Sequence, residues 1–142
     1  MNREDRPILL VEDNPMDVDL TQRAFKRKKV PNPIHIAWDG EQALSFISRW
    51  DSGESTPLLI LLDLKLPKMD GFEVLRVFKD HPEYRNIPVV ILSTSTEEND
   101  VRSAYQGGAN SYLSKPVDFE TFVQTVGNIQ VYWCQLNIPA QQ

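Results

Sequence analysis

Glu12, Asp13, Asp63, Ser93 and Lys115 are the residues of this chain whose types and positions could do chemistry together. Each stands at or just past the end of a short apolar run. Glu12 and Asp13 follow Ile8–Val11, Asp63 closes Leu58–Leu62, Ser93 follows Val89–Leu92, and Lys115 lies just beyond Ser111–Leu113. Three carboxylates brought together repel, and at least one pKa rises unless a cation intervenes. An all-oxygen donor set selects a hard cation, and Mg²⁺ or Mn²⁺ suits two or three carboxylates with open water positions. No His or Cys cluster is present to recruit zinc, since His35 and His81 stand away from these positions. A metal ion beside a carboxylate lets that carboxylate attack a phosphoryl group, because the ion neutralises charge on the transferring oxygens. Lys115 and the Ser93 hydroxyl would complete the clamp. The product would be an aspartyl phosphate, a high-energy acyl phosphate able to do work on the protein.

Five strands are needed to bring these residues to one edge. The runs Ile8–Val11, Leu58–Leu62 and Val89–Leu92 are continuous rather than alternating, as in strands covered on both faces. Ile34–Ala37 and Ser111–Leu113 supply two more. Each run precedes a stretch with helical spacing: Met16–Lys28, Gln42–Trp50, Gly71–Lys79, Glu97–Tyr105 and Asp118–Tyr132. Glu97, Glu98 and Asp100 suit a helix N-terminus, and Gly107-Gly108 reads as a helix C-cap. Lys26–Lys29 reads as a solvated helix end that complements the helix dipole. The expected fold is therefore α/β, a (βα)₅ doubly wound parallel five-stranded sheet with right-handed crossovers. Ligands of such sheets sit at the C-terminal ends of the strands, where these polar residues fall.

Composition narrows the function classes. A chain of 142 residues predicts one domain and can bury a core without a disulfide or structural metal. Cys134 is the single cysteine, which fits a reducing compartment, and no signal-peptide pattern opens the chain. The longest apolar run is far too short to span a bilayer. A net charge of −5 argues against nucleic-acid binding by bulk charge. The expectations are a cytoplasmic protein with no membrane and no nucleic-acid partner.

Four motifs in order carry a resemblance. They are Leu10-Val11-Glu12-Asp13-Asn14, then Leu62-Asp63-Leu64-Lys65-Leu66-Pro67 with Met69-Asp70-Gly71, then Ile91-Leu92-Ser93, then Lys115-Pro116. Over about residues 6–132 the chain resembles the receiver domain of two-component response regulators, the flavodoxin- or CheY-like fold with strand order 2-1-3-4-5. The resemblance implies that Asp63 is the phosphoacceptor. It implies that Glu12, Asp13 and Asp63 hold Mg²⁺ or Mn²⁺, Glu12 through water, with the backbone carbonyl of Lys65 as a further ligand. Ser93 would be the switch hydroxyl, with Thr94 beside it at the phosphate-binding edge. Lys115 would pair with a phosphate oxygen, and Tyr112 would swing between exposed and buried states. The Lys115-Pro116 bond becomes a candidate for cis. Thr94 is larger than the Ala or Gly common beside the switch hydroxyl, and Lys65 places a long cation next to the acceptor. Both bear on phosphate lifetime.

A finer likeness is to the stand-alone Rcp-type regulators paired with bacterial phytochrome kinases. It rests on Leu92-Ser93-Thr94-Ser95, Ala109–Leu113, Lys115-Pro116 and a tail containing Tyr132-Trp133 and Ile138-Pro139. It implies a histidine kinase partner, a bacteriophytochrome, and no separate output domain. The expected organisation is a receiver over 1–132 and a C-terminal tail over 133–142. Trp, Leu and Ile within six residues are unusual for a solvated tail. The tail reads as a dimerisation arm of a homodimer, with Trp133 and Ile138 as anchors. A competing class is a phosphohydrolase of the haloacid dehalogenase type, which also uses an Asp nucleophile and Mg²⁺. That class carries Asp-x-Asp, and here Lys65 occupies the position of the general acid. A phosphate-independent scaffold is the third reading, and the intact acidic set argues against it. The chain is therefore expected to be a phosphoacceptor signalling protein rather than an enzyme.

Overall fold

Continuous apolar strands require a covered sheet on both sides, and the computed structural model, which describes residues 2–140, shows that arrangement. Strands β1 (Ile8–Val11), β2 (Ile34–Ala37), β3 (Leu59–Leu62), β4 (Val89–Ser93) and β5 (Ser111–Ser114) form one sheet. All pairings are parallel, in the order β2-β1-β3-β4-β5. Helices α1 (Pro15–Arg27), α2 (Gly40–Asp51), α3 (Gly71–Asp80), α4 (Glu98–Gln106) and α5 (Phe119–Ile129) connect or follow them.

The pleat sorts each central strand between two cores. Leu9 and Val11, Ile60 and Leu62, and Val89 and Ile91 enter the core closed by α2, α3 and α4. Ile8 and Leu10, Leu59 and Leu61, and Val90 and Leu92 enter the core closed by α1 and α5. This two-residue alternation is the strand period itself. Full burial of a Leu or Ile side chain contributes about 1.5–3 kcal/mol, so a polar residue inside these runs would be costly. The first polar residue of each run marks where the covered sheet ends.

Caps fix where most helices begin. Asn14 Oδ1 accepts from the backbone N–H of Met16 at 2.9 Å and of Asp17 at 3.3 Å, with Pro15 at the first helical position. Asp39, Asp70 and Asp118 cap α2, α3 and α5 in the same way. Helix α4 differs: its N-cap residue, Glu97, makes no side-chain capping bond, and α4 buries only Ala104. Gly107 closes α4, and Gly108 follows with φ +103°. Gly71 lets the loop after β3 fold tightly. Its N–H donates to the Leu64 carbonyl at 2.8 Å, and a Cβ there would overlap the Asp63 carbonyl oxygen and the Leu64 Cα.

Two sequence expectations are corrected. The last helix does not stop at Tyr132. α5 ends at Ile129, and the chain keeps winding as a π-helical segment, Gln130–Leu136. Wider winding turns Cys134, five residues past Ile129, into the α1–α5 core, with Trp133 packed against that core. The Arg3 guanidinium ties the segment down by donating to the Gln135 carbonyl at 2.6 Å. The Lys115–Pro116 bond is trans, as is every described peptide bond. The Lys115 N–H donates to the Ser93 carbonyl at 2.8 Å, so the backbone simply prolongs the β4–β5 ladder there.

Candidate functional site

Pleat parity carried one residue past each strand places the polar groups. Val11 and Leu62 face the α2–α4 core, so Glu12 and Asp63, the next residues, turn toward α1 and α5. Lys115 has the same parity, because Leu113 packs on the α1–α5 core. Ser93 has the opposite parity: Leu92 packs toward α1 and α5, so the Ser93 side chain turns toward α4.

Lys115 is the centre of the first group. Its Nζ donates to Glu12 Oε1 in the shortest contact of the site, to Asp17 Oδ2 at 3.1 Å and to Asp63 Oδ2 at 3.2 Å. Glu12 is almost wholly buried, and its Oε2 accepts from the Asn14 N–H at 3.2 Å. One oxygen from each of Glu12, Asp13 and Asp63 lies within 4.8 Å of the others. Burial pushes the Glu12 carboxyl up to about 7, and the Asp63 charge adds to that, against the opposing pull of Lys115. Burial alone would lower the Lys115 pKa, but the hydrogen bond to Glu12 and the charges of Asp63, Glu12 and Asp17 outweigh it. The ammonium is held above the usual lysine range. Burial, helped by the Asp63 charge, keeps affinity for a proton on Glu12, and the surrounding negative charges keep the proton on Lys115. A proton or a divalent cation can relieve the same excess of negative charge. The all-oxygen donor set, with Asp13 exposed at the mouth, fits a hard cation that keeps water ligands.

The second group is made of hydroxyls. Ser93 is buried, and its Oγ accepts from the Ser95 N–H at 3.1 Å. It therefore forms a local serine turn as well as marking the strand end. Ser95 Oγ donates to Asp100 Oδ2 on α4 at 2.6 Å. The Ser95 carbonyl accepts from the Tyr112 hydroxyl at 2.8 Å, while the Tyr112 ring packs on the α2–α4 core. Thr94 is exposed beside this turn. Lys65 is exposed too, and its backbone N–H donates to Asp63 Oδ1 at 3.3 Å.

The structure thus gathers Glu12, Asp13, Asp63, Lys65, Ser93, Thr94, Tyr112 and Lys115 at the C-terminal edge of the sheet. Trp133 and Ile138 are elsewhere, in and beyond the π-helical segment, where Trp133 is half-buried and Ile138 is 85% exposed. Sequence reasoning missed Asp17 and Ser95. Asp17 sits in the first turn of α1, where an acid needs no other explanation than the helix dipole. Its signal was the parity of Lys115, which aims that lysine at α1.

Residues 8–127 match the family model described as response regulator receiver domain. The chain belongs to the response regulator receiver family. Among receivers, it is 38% identical to response regulator Rcp1 of Synechocystis over 146 aligned residues, covering 99% of both chains. It is 46% identical over 131 residues to the "Probable methanogenesis regulatory protein FilR2" of Methanothrix harundinacea, covering 92% of this chain and 84% of that one. The phosphorylated cyanobacterial phytochrome response regulator RcpA superposes with a TM-score of 0.89 at 37% identity, over 96% of this chain and 99% of RcpA. The Mn²⁺-bound form of Rcp1 superposes with a TM-score of 0.86 at 36% identity, over 96% and 99%. As a receiver, the chain is a signalling protein. Among its described residues no helix is long and apolar enough to cross a membrane.

Proposed function

We propose that this receiver takes a phosphoryl group from a histidine kinase onto Asp63. The observation that carries the reading is the Asp63 carboxylate itself. It ends a fully buried strand, shares Lys115 with Glu12, and clusters with Glu12 and Asp13. An Asp63 oxygen attacks phosphorus, the phosphorus–nitrogen bond of the phosphohistidine breaks, and the imidazole leaves with the electron pair. Lys115 donates to an oxygen of the transferring group. Asp13, Asp63 and Glu12, with the Lys65 carbonyl, would hold a Mg²⁺ or Mn²⁺ ion, which would supply charge neutralisation at the same oxygens. The residues present fit such an ion, and the Mn²⁺-bound form of Rcp1 supports it. Ser93 then turns from the Ser95 N–H toward the phosphoryl group, and the change passes to Tyr112 and α4. Asp63→Asn is expected to abolish labelling by acetyl phosphate or a phosphorylated kinase with the fold intact. Labelling at the wild-type rate would overturn the assignment.

The finer reading is a regulator of the Rcp type in the cytoplasm, served by a bacteriophytochrome and working without nucleic acid or membrane. The full-length likeness to Rcp1 and RcpA supports it. Phosphotransfer profiling against the histidine kinases of the source organism tests the partner. A phytochrome kinase that transfers no faster than the others would contradict it.

The C-terminal segment pairs two copies in this reading. Val131, Tyr132, Leu136 and Ile138 are exposed apolar residues along one short stretch. Trp133 contributes through its edge-to-face contact with Tyr132, at 4.8 Å between centroids. Because Cys134 is buried in the core, the clean test leaves the helix in place. Leu136→Ser with Ile138→Ser should yield a monomer by light scattering where the parent is a dimer. A monomeric parent, or an unchanged mass, would sink the dimer.

A further inference from the structure

The environment of Lys115 contains one partner that the phosphoacceptor reading does not use. A lysine ammonium has three N–H donors. Here each is engaged, by Glu12, Asp63 and Asp17. A phosphoryl oxygen that reaches Lys115 therefore competes with these partners. The three differ in what release costs. The Glu12 and Asp63 side chains are 4% and 11% exposed, whereas Asp17 is 36% exposed. A buried carboxylate that loses its cation cannot regain water, but one at the surface can. Asp17 is thus the partner that can be released most easily.

Asp17 is also held ready for this exchange. It stands in the first turn of α1, fixed by Pro15 and by the Asn14 cap that accepts its own N–H. Its carbonyl accepts from the Thr21 hydroxyl at 2.7 Å. It stands outside the Glu12, Asp13 and Asp63 group that could share a cation. It lines an open groove with Lys115, Pro116, Val117 and Phe119. Its charge acts on Lys115 and on any anion that approaches by that groove.

We propose that Asp17 is a releasable counter-ion, a positioning residue that holds Lys115 in the resting site and yields it when a phosphoryl group arrives. This rests on the phosphoacceptor reading of Asp63. The resting contact aligns the ammonium. Its loss on phosphorylation sets part of the free energy of the acyl phosphate, and it frees the start of α1 from β5. Removing the Asp17 charge should then favour the phosphorylated form.

Beryllofluoride with Mg²⁺ tests this without the chemistry, since it bonds to a carboxylate oxygen in place of the phosphoryl group. Isothermal titration would compare wild type with Asp17→Asn, Asp17→Ser and Asp17→Glu, and with Asp19→Asn. Asp19 is exposed on the same helix and pairs with Arg23, so it controls for net charge. Asp17 holds its end of the pair partly at the surface, so its pull on Lys115 is worth about 1 kcal/mol, and Asp17→Asn and Asp17→Ser are expected to bind about three- to five-fold more tightly. Asp17→Glu should stay near wild type, and Asp19→Asn within about a quarter of a decade. Equal or weaker binding by both Asp17→Asn and Asp17→Ser would overturn the proposal, as would the same gain from Asp19→Asn. If wild type itself fails to bind, or binds as well after Asp63→Asn, the phosphoacceptor reading falls and takes the proposal with it.

Discussion

The two sides of the sheet's C-terminal edge are built from different interactions. Toward α1 and α5, one ammonium is shared by three carboxylates, two of them nearly buried, beside a helix with a capped start and four buried residues. Toward α4, neutral hydroxyls link Ser93, Ser95 and Tyr112, with Asp100 as the one charged member. The helix there has no side-chain cap and buries one residue. Charge-assisted bonds in a buried cluster are strong, and breaking one exposes an uncompensated charge. Neutral hydrogen bonds contribute about 0.5–1.5 kcal/mol each. The first side is built to hold a geometry in which charge can transfer. The second is held by weaker bonds under a lightly packed helix, the kind of element from which switches are drawn. Parity of adjacent residues separates them: Asp63 and Lys115 turn one way, and Ser93 turns the other.

The largest effect expected from breaking this division is on Lys115. Lys115→Ala removes a donor from the transferring oxygens, so labelling by acetyl phosphate should slow about a hundred-fold. An unchanged rate would place the chemistry elsewhere.

A smaller effect sharpens the electrostatic half. Mg²⁺ at ten times its Kd should add about 1.4 kcal/mol of stability, roughly a 4 °C rise in Tm for a chain of this size. The rise depends on pH through Glu12. Its folded-state pKa is raised, from 4.5 to about 7. The stability that the bound proton contributes is fully present below the unfolded value and is lost as pH rises through about 7. Lys115, held above the usual lysine range, stays charged across that window. The metal takes the place of the proton. The Mg²⁺-induced rise in Tm should therefore be larger at pH 8 than at pH 6, and thermal melts at both values check it. A rise that is equal at both, or larger at pH 6, would contradict the origin assigned to the Glu12 shift.

The smallest effect concerns Ser95. Ser95→Ala removes the bond to Asp100 and the longer one accepted from the Glu97 N–H, but leaves the backbone contacts to Ser93 and Tyr112 available. Amide exchange in α4 should speed up several-fold, the size of one neutral or charge-assisted hydrogen bond, with labelling of Asp63 unaffected. Loss of labelling in this variant would mean the two sides are not separable.

Much of this was legible before the structure, for definite reasons. Runs such as Leu58–Leu62 announce strands covered on both faces, and the abrupt polar residue after each announces the edge. Asp13, Asp63, Ser93 and Lys115 were found in that way. Asp17 was not, because an acid in a helix's first turn already has a local explanation, and only the pleat shows that Lys115 leans toward it. Ser95 was quoted within a motif, yet its contacts join two loops and a helix far apart in sequence. The π-helical segment was hidden because the stripe of Phe122, Val126 and Ile129 has ordinary helical spacing and nothing in it marks a change of winding before the expected end at Tyr132. Only burial of Cys134, five residues past Ile129, reveals the wider turn. Nothing in the local sequence specifies that the Lys115–Pro116 bond is trans.

The central claim is that the charged side performs the transfer while the hydroxyl side reports it. Ser93→Ala tests it most directly, because Ser93 Oγ is the one side-chain atom of the hydroxyl group expected to reach the phosphoryl group. Wild type and variant would be treated with acetyl phosphate and Mg²⁺. Acyl phosphate would be counted by intact mass, and amide exchange followed over α4 and β5 in the same samples. Comparable phosphate is expected on Asp63 in both proteins, with the change in α4 and around Tyr112 present in wild type and largely lost in Ser93→Ala. An identical exchange response in the two proteins, or a variant that cannot be phosphorylated, would contradict it.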